Sequence, residues 1–171
     1  SLTAPNGQAQ QGLLAAALSD AGTPADALAL GEAHGTGTAL GDPIEAGAVS
    51  AVCLSPLRHA HEPLRVGSLK ANAGHTEPGA GLAGAAKLIM QLRDTAASPN
   101  AQLRALNPHV GGALRAVSCV LAVQPDALAT EAWTGGVSSF GYAGTIAHAV
   151  LGDCRGRKPL AFEVAAGPLK P

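Results

Sequence analysis

Apolar residues recur at helical spacing near the start of the chain and then give way to a short continuous apolar run. The leucine and alanine repeat predicts a packing helix from Gln8 to Ala21, which ends before Gly22 and Pro24. The run from Leu28 to His34 predicts a buried strand that carries His34 at its C-terminal end. Open α/β sheets bind ligands beyond such strand ends, so His34 is a candidate site residue.

The segment after His34 predicts a loop followed by a helix. Residues 35–38 alternate glycine and threonine, which both weaken a helix. Asp42 then precedes Pro43, and Glu45 follows in the next turn. This is the order of an N-cap residue, a proline at the first helical position and an acid near the helix start. A helix is therefore predicted to begin at Pro43.

The same order of strand, loop and helix recurs further along the chain. Val66 to Leu69 predicts a short strand, which leads through Lys70 and a glycine turn to His75. An Ala/Gly-rich helix is predicted from Gly79 to Leu92, and its small residues indicate tight packing against a neighbouring element. The turn-rich residues after it predict a connection, followed by strands that include Ala113 to Val123.

Composition limits the class of protein. The 171 residues are 47% hydrophobic with a net charge of −1, which fits one domain and offers no electrostatic attraction to nucleic acid or membranes. No apolar run reaches the ~20 residues of a membrane span, and the first residues do not resemble a signal peptide. The three cysteines have no metal-binding spacing, which favours a reducing compartment, cytoplasmic or alternatively plastid. His59 and His61 are interpreted as solvated loop residues, and no metal site is predicted.

Three motifs together resemble a known family. EAHGTGTALGDPIEAGA from Glu32, SLKANAGHTEPGAG from Ser68 and VSSFGYAGTIAHAVL from Val137 follow in an order and spacing that resemble the C-terminal half of a β-ketoacyl synthase. This is the condensing enzyme of polyketide and fatty acid synthases, and the resemblance is strongest to the multidomain polyketide kind. It covers nearly the whole chain, from Leu2 to Leu151.

The resemblance implies an α/β fold, one half of a thiolase-like αβαβα sandwich with a mixed five-stranded sheet and helices on both faces. The sheet is expected to contain strands near residues 28–33, 65–69, 115–123, 132–139 and 145–151. Residues 1–151 would form the ketosynthase half, and residues 152–171 a linker or docking tail.

The resemblance also implies catalytic roles. His34 and His75 match the family's pair that donates N–H groups to the enolate formed when a malonyl-type thioester loses carbon dioxide. Lys70 matches a lysine that pairs with the acid represented here by Glu45 and orients the histidines, while Asp42 supports the loop. Each histidine taken alone would be interpreted as a core residue bound by backbone groups, and the matching motifs reverse that interpretation.

Further positions match the family's substrate contacts. Thr36 and Thr38 correspond to residues that bind the phosphopantetheine arm of an acyl carrier protein, with simple turn capping as the alternative. Tyr142 corresponds to a gatekeeping aromatic whose backbone N–H contributes to the oxyanion hole. Ile146 replaces the asparagine that is common in this motif, which removes a polar group near the site.

The family's nucleophilic cysteine belongs to its N-terminal half, and Cys53, Cys119 and Cys154 do not match that context. The chain alone is therefore expected to be inactive in condensation and to require a partner half that carries the cysteine, an acyl carrier protein, and dimerisation of the complete domain. No directly bound cofactor is expected. The alternative is a truncated, inactive ketosynthase relic that serves as a structural or interaction subunit. In either case a companion is expected to cover the helix from Gly79 to Leu92.

Overall fold

The structure is a computed structural model, which describes residues 4–53, 63–101, 103–115, 118–128 and 134–152. Within these residues the chain forms two sheets and five α-helices. The strands are β1 (Leu28–Glu32), β2 (Leu64–Gly67), β3 (Ala96–Ala97), β4 (Cys119–Val120), β5 (Asp126–Ala127), β6 (Thr134–Phe140) and β7 (Ile146–Gly152). The helices are α1 (Gly7–Asp20), α2 (Gly41–Cys53), α3 (Lys70–Ala73), α4 (Ala80–Asp94) and α5 (Pro108–Leu114), with 3₁₀ turns at Ala25–Ala27 and Glu77–Gly79.

The main sheet is mixed and has the order β4-β2-β1-β6-β7. Its first four strands are parallel, and β7 pairs antiparallel with β6 through a tight turn. Strands β3 and β5 form a separate antiparallel pair. Because β1 and β2 are parallel neighbours, their C-terminal ends lie side by side at one edge of the sheet, which is where the candidate residues follow.

Each face of the main sheet has its own apolar core. On one face, α1 and α2 pack through Leu14, Leu18 and Cys53 onto Leu28 and Leu64. On the other face, α4 packs onto the sheet. The residues of this second core are Ala29, Leu30, Leu88, Leu92, Ala97, Leu128 and Val137. A register shift between β1 and β6 at Leu28/Leu30 accompanies the division of these two leucines between the two cores. The helix–sheet–helix layering is that of the predicted half sandwich.

The prediction of one five-stranded sheet is confirmed, although β1 ends one residue early, β2 spans Leu64–Gly67 instead of 65–69, and the strand predicted over 115–123 is much shorter. Among the described residues of the segment predicted as a strand over 115–123, Cys119 and Val120 pair in the sheet. Ala113 and Leu114 belong to α5, where the Asn107 side chain accepts a hydrogen bond from His109 N at 2.9 Å and Pro108 is the first helical residue. Residues 132 and 133 of the fourth predicted strand, the loop with His59 and His61, and residues 153–171 of the predicted tail lie outside the described residues.

Helix α2 begins at Gly41, two residues before the predicted start at Pro43. Thr38 Oγ1 accepts the hydrogen bond of Gly41 N at 3.0 Å, so this threonine, three residues before Gly41, caps the helix in place of Asp42. Asp42 lies inside the first turn and accepts instead from Gly37 N at 3.1 Å. Among the helices of the described residues, none is long and apolar enough to cross a membrane.

Replacing Gly135 with alanine is expected to lower the free energy of unfolding by about 2–3 kcal/mol. A Cβ atom there would lie 2.6 Å from Leu88 Cδ1 and 3.2 Å from both the Cβ and the carbonyl oxygen of Leu30, so α4 and β1 would each have to move away from β6. Gly12→Ala is the matched control, because its Cβ meets nothing within 4 Å. Since alanine favours a helix, the control is expected to gain up to about 1 kcal/mol. Urea unfolding of both variants tests this, and an unchanged midpoint for Gly135→Ala would contradict the packing of α4 on the sheet.

Candidate active site at the strand ends

His34 lies two residues beyond β1, in a loop held by α2. The backbone N–H groups of His34 and Gly35 donate to the two oxygens of Glu45 at 2.7 and 2.9 Å. Gly35 and Gly37 have positive φ values of 46° and 77°, which lets the loop turn tightly toward the helix. Glu45 thus fixes the backbone from which the His34 ring projects.

His75 reaches the same place from β2. The chain passes through α3 and then turns at Gly74, whose φ is 80°. The rings of His34 and His75 lie with centroids 5.8 Å apart and planes at 88°. The two histidines that match the family's pair therefore lie together, and the Phe140 ring contacts His34 from β6 at a centroid distance of 5.2 Å.

Backbone donors bind the same nitrogen in both rings. His34 Nδ1 accepts from Phe140 N at 3.3 Å, and His75 Nδ1 accepts from Glu77 N at 3.1 Å. A neutral imidazole that accepts at Nδ1 carries its proton on Nε2. Both histidines therefore present Nε2–H as a donor.

The His34 ring is neutral at physiological pH. Burial, together with the positive charge of Lys70 and the neighbouring His75, lowers its pKa to about 4. A neutral imidazole has one N–H donor and one acceptor nitrogen, which agrees with the hydrogen bond that His34 Nδ1 accepts from Phe140 N.

The predicted ion pair between Lys70 and Glu45 is wrong. Within the described residues, no carboxylate oxygen lies within 4.0 Å of Lys70 Nζ. The carboxylate of Glu45, which is 5% exposed, is instead occupied by the two backbone N–H groups of the histidine loop. Burial lowers the pKa of Lys70, and the nearby carboxylates of Glu32, Glu45 and Asp42 oppose that shift.

The buried ion pair of the site joins Glu32 and Lys87, which sequence reasoning missed. Lys87 Nζ lies 2.6 Å from Glu32 Oε2, and the two side chains are 10% and 3% exposed. Glu32 Oε1 also accepts from Leu69 N at 2.5 Å. A signal was available, because Glu32 and Lys87 are lone charges of opposite sign in the apolar segments 27–41 and 78–92.

Of the remaining predicted residues, some line the cavity and others hold the loop or helix beside it. Thr36 and Asp42 line a cavity of about 850 Å³ that also touches Lys70 and His75. Thr38 is exposed and caps α2, so the capping interpretation holds for this residue. Burial raises the pKa of Asp42, against the hydrogen bonds that its carboxylate accepts from the loop.

Tyr142 does not stand at the edge of this cavity as predicted. Its side chain is 89% exposed, because it follows the last paired position of β6 and lies in the turn that Gly141 N closes on Thr145 O at 2.7 Å. Phe140 is the aromatic residue beside His34. Ile146 is half-buried at the start of β7, opposite Phe140.

The cavity has both polar and apolar lining residues. Thr36, Asp42, Lys70 and His75 lie among its lining residues, and the others include apolar side chains of α2 and α5 such as Val49 and Val110. Within the described residues, no group of three or more His, Cys, Asp or Glu side chains is arranged to hold a metal ion.

Comparison with known proteins identifies the family. The sequence of residues 1–104 matches the family model of the β-ketoacyl synthase C-terminal domain. The chain belongs to this family. The spectinabilin polyketide synthase system protein NorA′ of Streptomyces orinoci is 42% identical over 170 residues, which are 99% of this chain and 5% of that protein. Mycoketide-CoA synthase of Mycobacterium tuberculosis is 41% identical over 150 residues, 88% of this chain and 4% of that protein.

Solved structures agree with this assignment. Ketosynthase twelve of the bacillaene polyketide synthase from Bacillus amyloliquefaciens superposes with a TM-score of 0.79 at 31% identity, over 88% of this chain and 27% of that one. The oxazolomycin ketosynthase domain OzmH KS8 of Streptomyces albus gives a TM-score of 0.77 at 32% identity, over 88% of this chain and 40% of that one. The predicted thiolase-like fold class is thus confirmed, and the chain spans only a small part of the synthases it resembles.

Proposed function

We propose that this chain supplies the decarboxylating half of a β-ketoacyl synthase active site in a polyketide synthase. The observation that carries the proposal is the pair of histidine rings, 5.8 Å apart, each bound at Nδ1 by a backbone N–H. Two ring nitrogens that can each donate an N–H, on rings whose centroids lie 5.8 Å apart, suit an oxygen on which negative charge develops.

The chemistry assigned to the site is a decarboxylative Claisen condensation. The bond between the malonyl α-carbon and its carboxylate breaks, carbon dioxide leaves, and the electron pair passes to the thioester enolate. His34 and His75 donate Nε2–H to the enolate oxygen, and the α-carbon then attacks an acyl thioester held on a cysteine. The cysteine thiolate leaves as the new carbon–carbon bond forms. That cysteine is assigned to a partner N-terminal ketosynthase half.

The substrate is proposed to arrive on the phosphopantetheine arm of an acyl carrier protein. Thr36 is half-buried in the cavity wall and is the first candidate to bind an amide of the arm. Thr38 Oγ1 accepts a hydrogen bond from Gly41 N, and the hydroxyl group of Thr38 can still donate its own proton to a ligand. Asp42 holds the loop that carries both threonines through its bond to Gly37 N.

The partner half is proposed to cover the outer face of α4. Leu82, Ile89 and Met90 are 81%, 56% and 55% exposed there, while the opposite face of the helix is buried on the sheet. Apolar patches of this kind favour a protein partner. Tyr142 is also exposed and is proposed to serve the cysteine side of the site, with its backbone N–H in the oxyanion hole. The complete domain is proposed to be a dimer.

Decarboxylation by the chain combined with a cysteine-bearing ketosynthase half tests the proposal. His34→Ala and His75→Ala are each expected to slow release of carbon dioxide from a malonyl thioester by about 100-fold, since each removes one donor to the enolate. Acyl transfer to the cysteine is expected to change less. His109→Ala is the control, because His109 is exposed on α5. If decarboxylation survives in both site variants, the histidines are structural and the chain is better described as a ketosynthase relic with an interaction role.

A further inference from the structure

The buried pair Glu32–Lys87 lies directly behind the loops that carry the histidines. Glu32 ends β1 two residues before His34, and Lys87 projects from the sheet-facing side of α4. The contact is close because small residues allow it. A Cβ on Gly84 would lie 3.1 Å from Glu32 Cγ, and a Cβ on Gly67 would lie 3.3 Å from Lys87 Nζ. The surroundings are therefore built tightly around this ion pair.

The same carboxylate also holds the residue that precedes Lys70. Glu32 Oε1 accepts from Leu69 N at 2.5 Å, while Oε2 binds Lys87 Nζ. Both oxygens of Glu32 are thus engaged. Lys70 directly follows Leu69 in the chain, but its ammonium group is not one of the partners of Glu32. Lys70 feels the attraction of Glu32 more than that of any other carboxylate.

The other carboxylates that attract Lys70 are also engaged elsewhere. Glu45 accepts from the backbone of His34 and Gly35, and Asp42 accepts from Gly37 N. Within the described residues, Lys70 Nζ consequently has no carboxylate oxygen inside 4.0 Å, and Lys70 lines the cavity beside His75. An ammonium group in this state remains available to a ligand.

We propose that Lys87 is a positioning residue that occupies Glu32 and thereby keeps the ammonium group of Lys70 unpaired and directed to the substrate side of the histidine pair. This inference rests on the proposed function, because it assigns Lys70 to the electrostatics of the decarboxylation site. Neither Glu32 nor Lys87 touches the reacting atoms, so their influence passes through Lys70.

The consequence of losing Lys87 follows from burial. A carboxylate that is 3% exposed is strongly destabilised when its cation is removed. Lys70 is the next cation along the chain, adjacent to the Leu69 N–H that Glu32 already binds. In Lys87→Met, Lys70 is therefore expected to turn onto Glu32 and to leave the cavity. In the double variant Glu32→Gln/Lys87→Met that attraction is absent, and Lys70 is expected to stay.

NMR titration of His34 in the 171-residue chain gives a readout that is independent of activity. The charged or titratable groups that face His34 are Lys70 from α3, His75 from the following loop and Glu45 from α2. Because the charge of Lys70 helps to lower the pKa of His34 to about 4, withdrawal of Lys70 is expected to raise that pKa by about one unit in Lys87→Met. The double variant is expected to return to the wild-type value.

Activity provides the second readout. With a cysteine-bearing half present, Lys87→Met is expected to lower the decarboxylation rate about tenfold at saturating substrate, with little change in KM, and Glu32→Gln/Lys87→Met is expected to recover most of it. An unchanged His34 titration in Lys87→Met, or a double variant as impaired as the single one, would make the pair a purely structural contact and overturn the inference. If instead the wild-type protein fails to decarboxylate, the proposed function fails while the His34 titration still decides the role of Lys87.

Discussion

Glu45→Ala is expected to lower the free energy of unfolding by about 3–5 kcal/mol and to displace His34 from His75. The carboxylate is 5% exposed and accepts from His34 N at 2.7 Å and Gly35 N at 2.9 Å. Alanine removes the acceptor of both donors, and each buried donor left unsatisfied costs about 1–3 kcal/mol. Urea unfolding measures the loss of stability, and the His34 and His75 ring resonances report the loss of the pair.

Two controls separate this role from the ion pair that the sequence suggested. Asp42→Asn keeps an oxygen near Gly37 N one turn away on the same helix, and it is expected to cost less than about 1 kcal/mol. Lys70→Met is expected to cost equally little, because Lys70 does not pair with Glu45. If Lys70→Met destabilised the protein as much as Glu45→Ala, the carboxylate would depend on the lysine and not on the loop backbone.

The convergence of the histidines was predictable because it depends on topology. Two strand–loop–helix units with a histidine after each strand place both histidines at one sheet edge if the strands are parallel neighbours, as β1 and β2 are. Spacing along the chain then brings His34 and His75 within reach of each other without knowledge of any other contact.

The partners of the charged residues were not predictable in the same way. Glu32 and Lys87 are 55 positions apart, and their contact depends on how closely α4 approaches β1 across Gly84. Whether Glu45 binds Lys70 or the loop backbone depends on the side-chain conformation of this one residue near the start of α2. Sequence spacing places such groups at the same end of the sheet, but side-chain packing over a few ångströms selects the partner.

The segment from Ala113 to Val123 shows a different limit. Its mostly apolar pattern, interrupted by Arg115 and Ser118, fits a buried strand and a short buried helix equally well, and periodicity cannot separate the two. Asn107 caps α5, and Leu114 packs against the α1/α2 core. The first part of the segment therefore belongs to α5. Among the described residues that follow α5, Cys119 and Val120 pair with β2.

The pH dependence of unfolding is expected to contain a contribution on the order of 3 kcal/mol from His148 alone. This side chain projects from β7, with Nδ1 3.0 Å from Ser138 Oγ and a buried Nε2 that meets no hydrogen-bond partner among the described residues. Burial lowers its pKa from 6.5 to about 4. Between these pH values the unfolded chain binds a proton that the folded chain does not, so stability is complete above pH 6.5 and is lost as the pH falls to about 4.

Comparison of variants isolates this contribution from the other groups. Burial raises the pKa values of Glu32, Glu45 and Asp42, which act in the opposite direction, but these carboxylates are present in both proteins compared. The free energy of unfolding of wild type minus that of His148→Gln, measured in urea from pH 7 to pH 4, is expected to fall by about 1.4 kcal/mol per pH unit below pH 6.5. Ser138→Ala is expected to keep the wild-type slope, because burial and not the serine hydroxyl lowers the pKa of His148. Equal slopes for wild type and His148→Gln would mean that His148 is protonated in the folded protein and that its surroundings admit the charge.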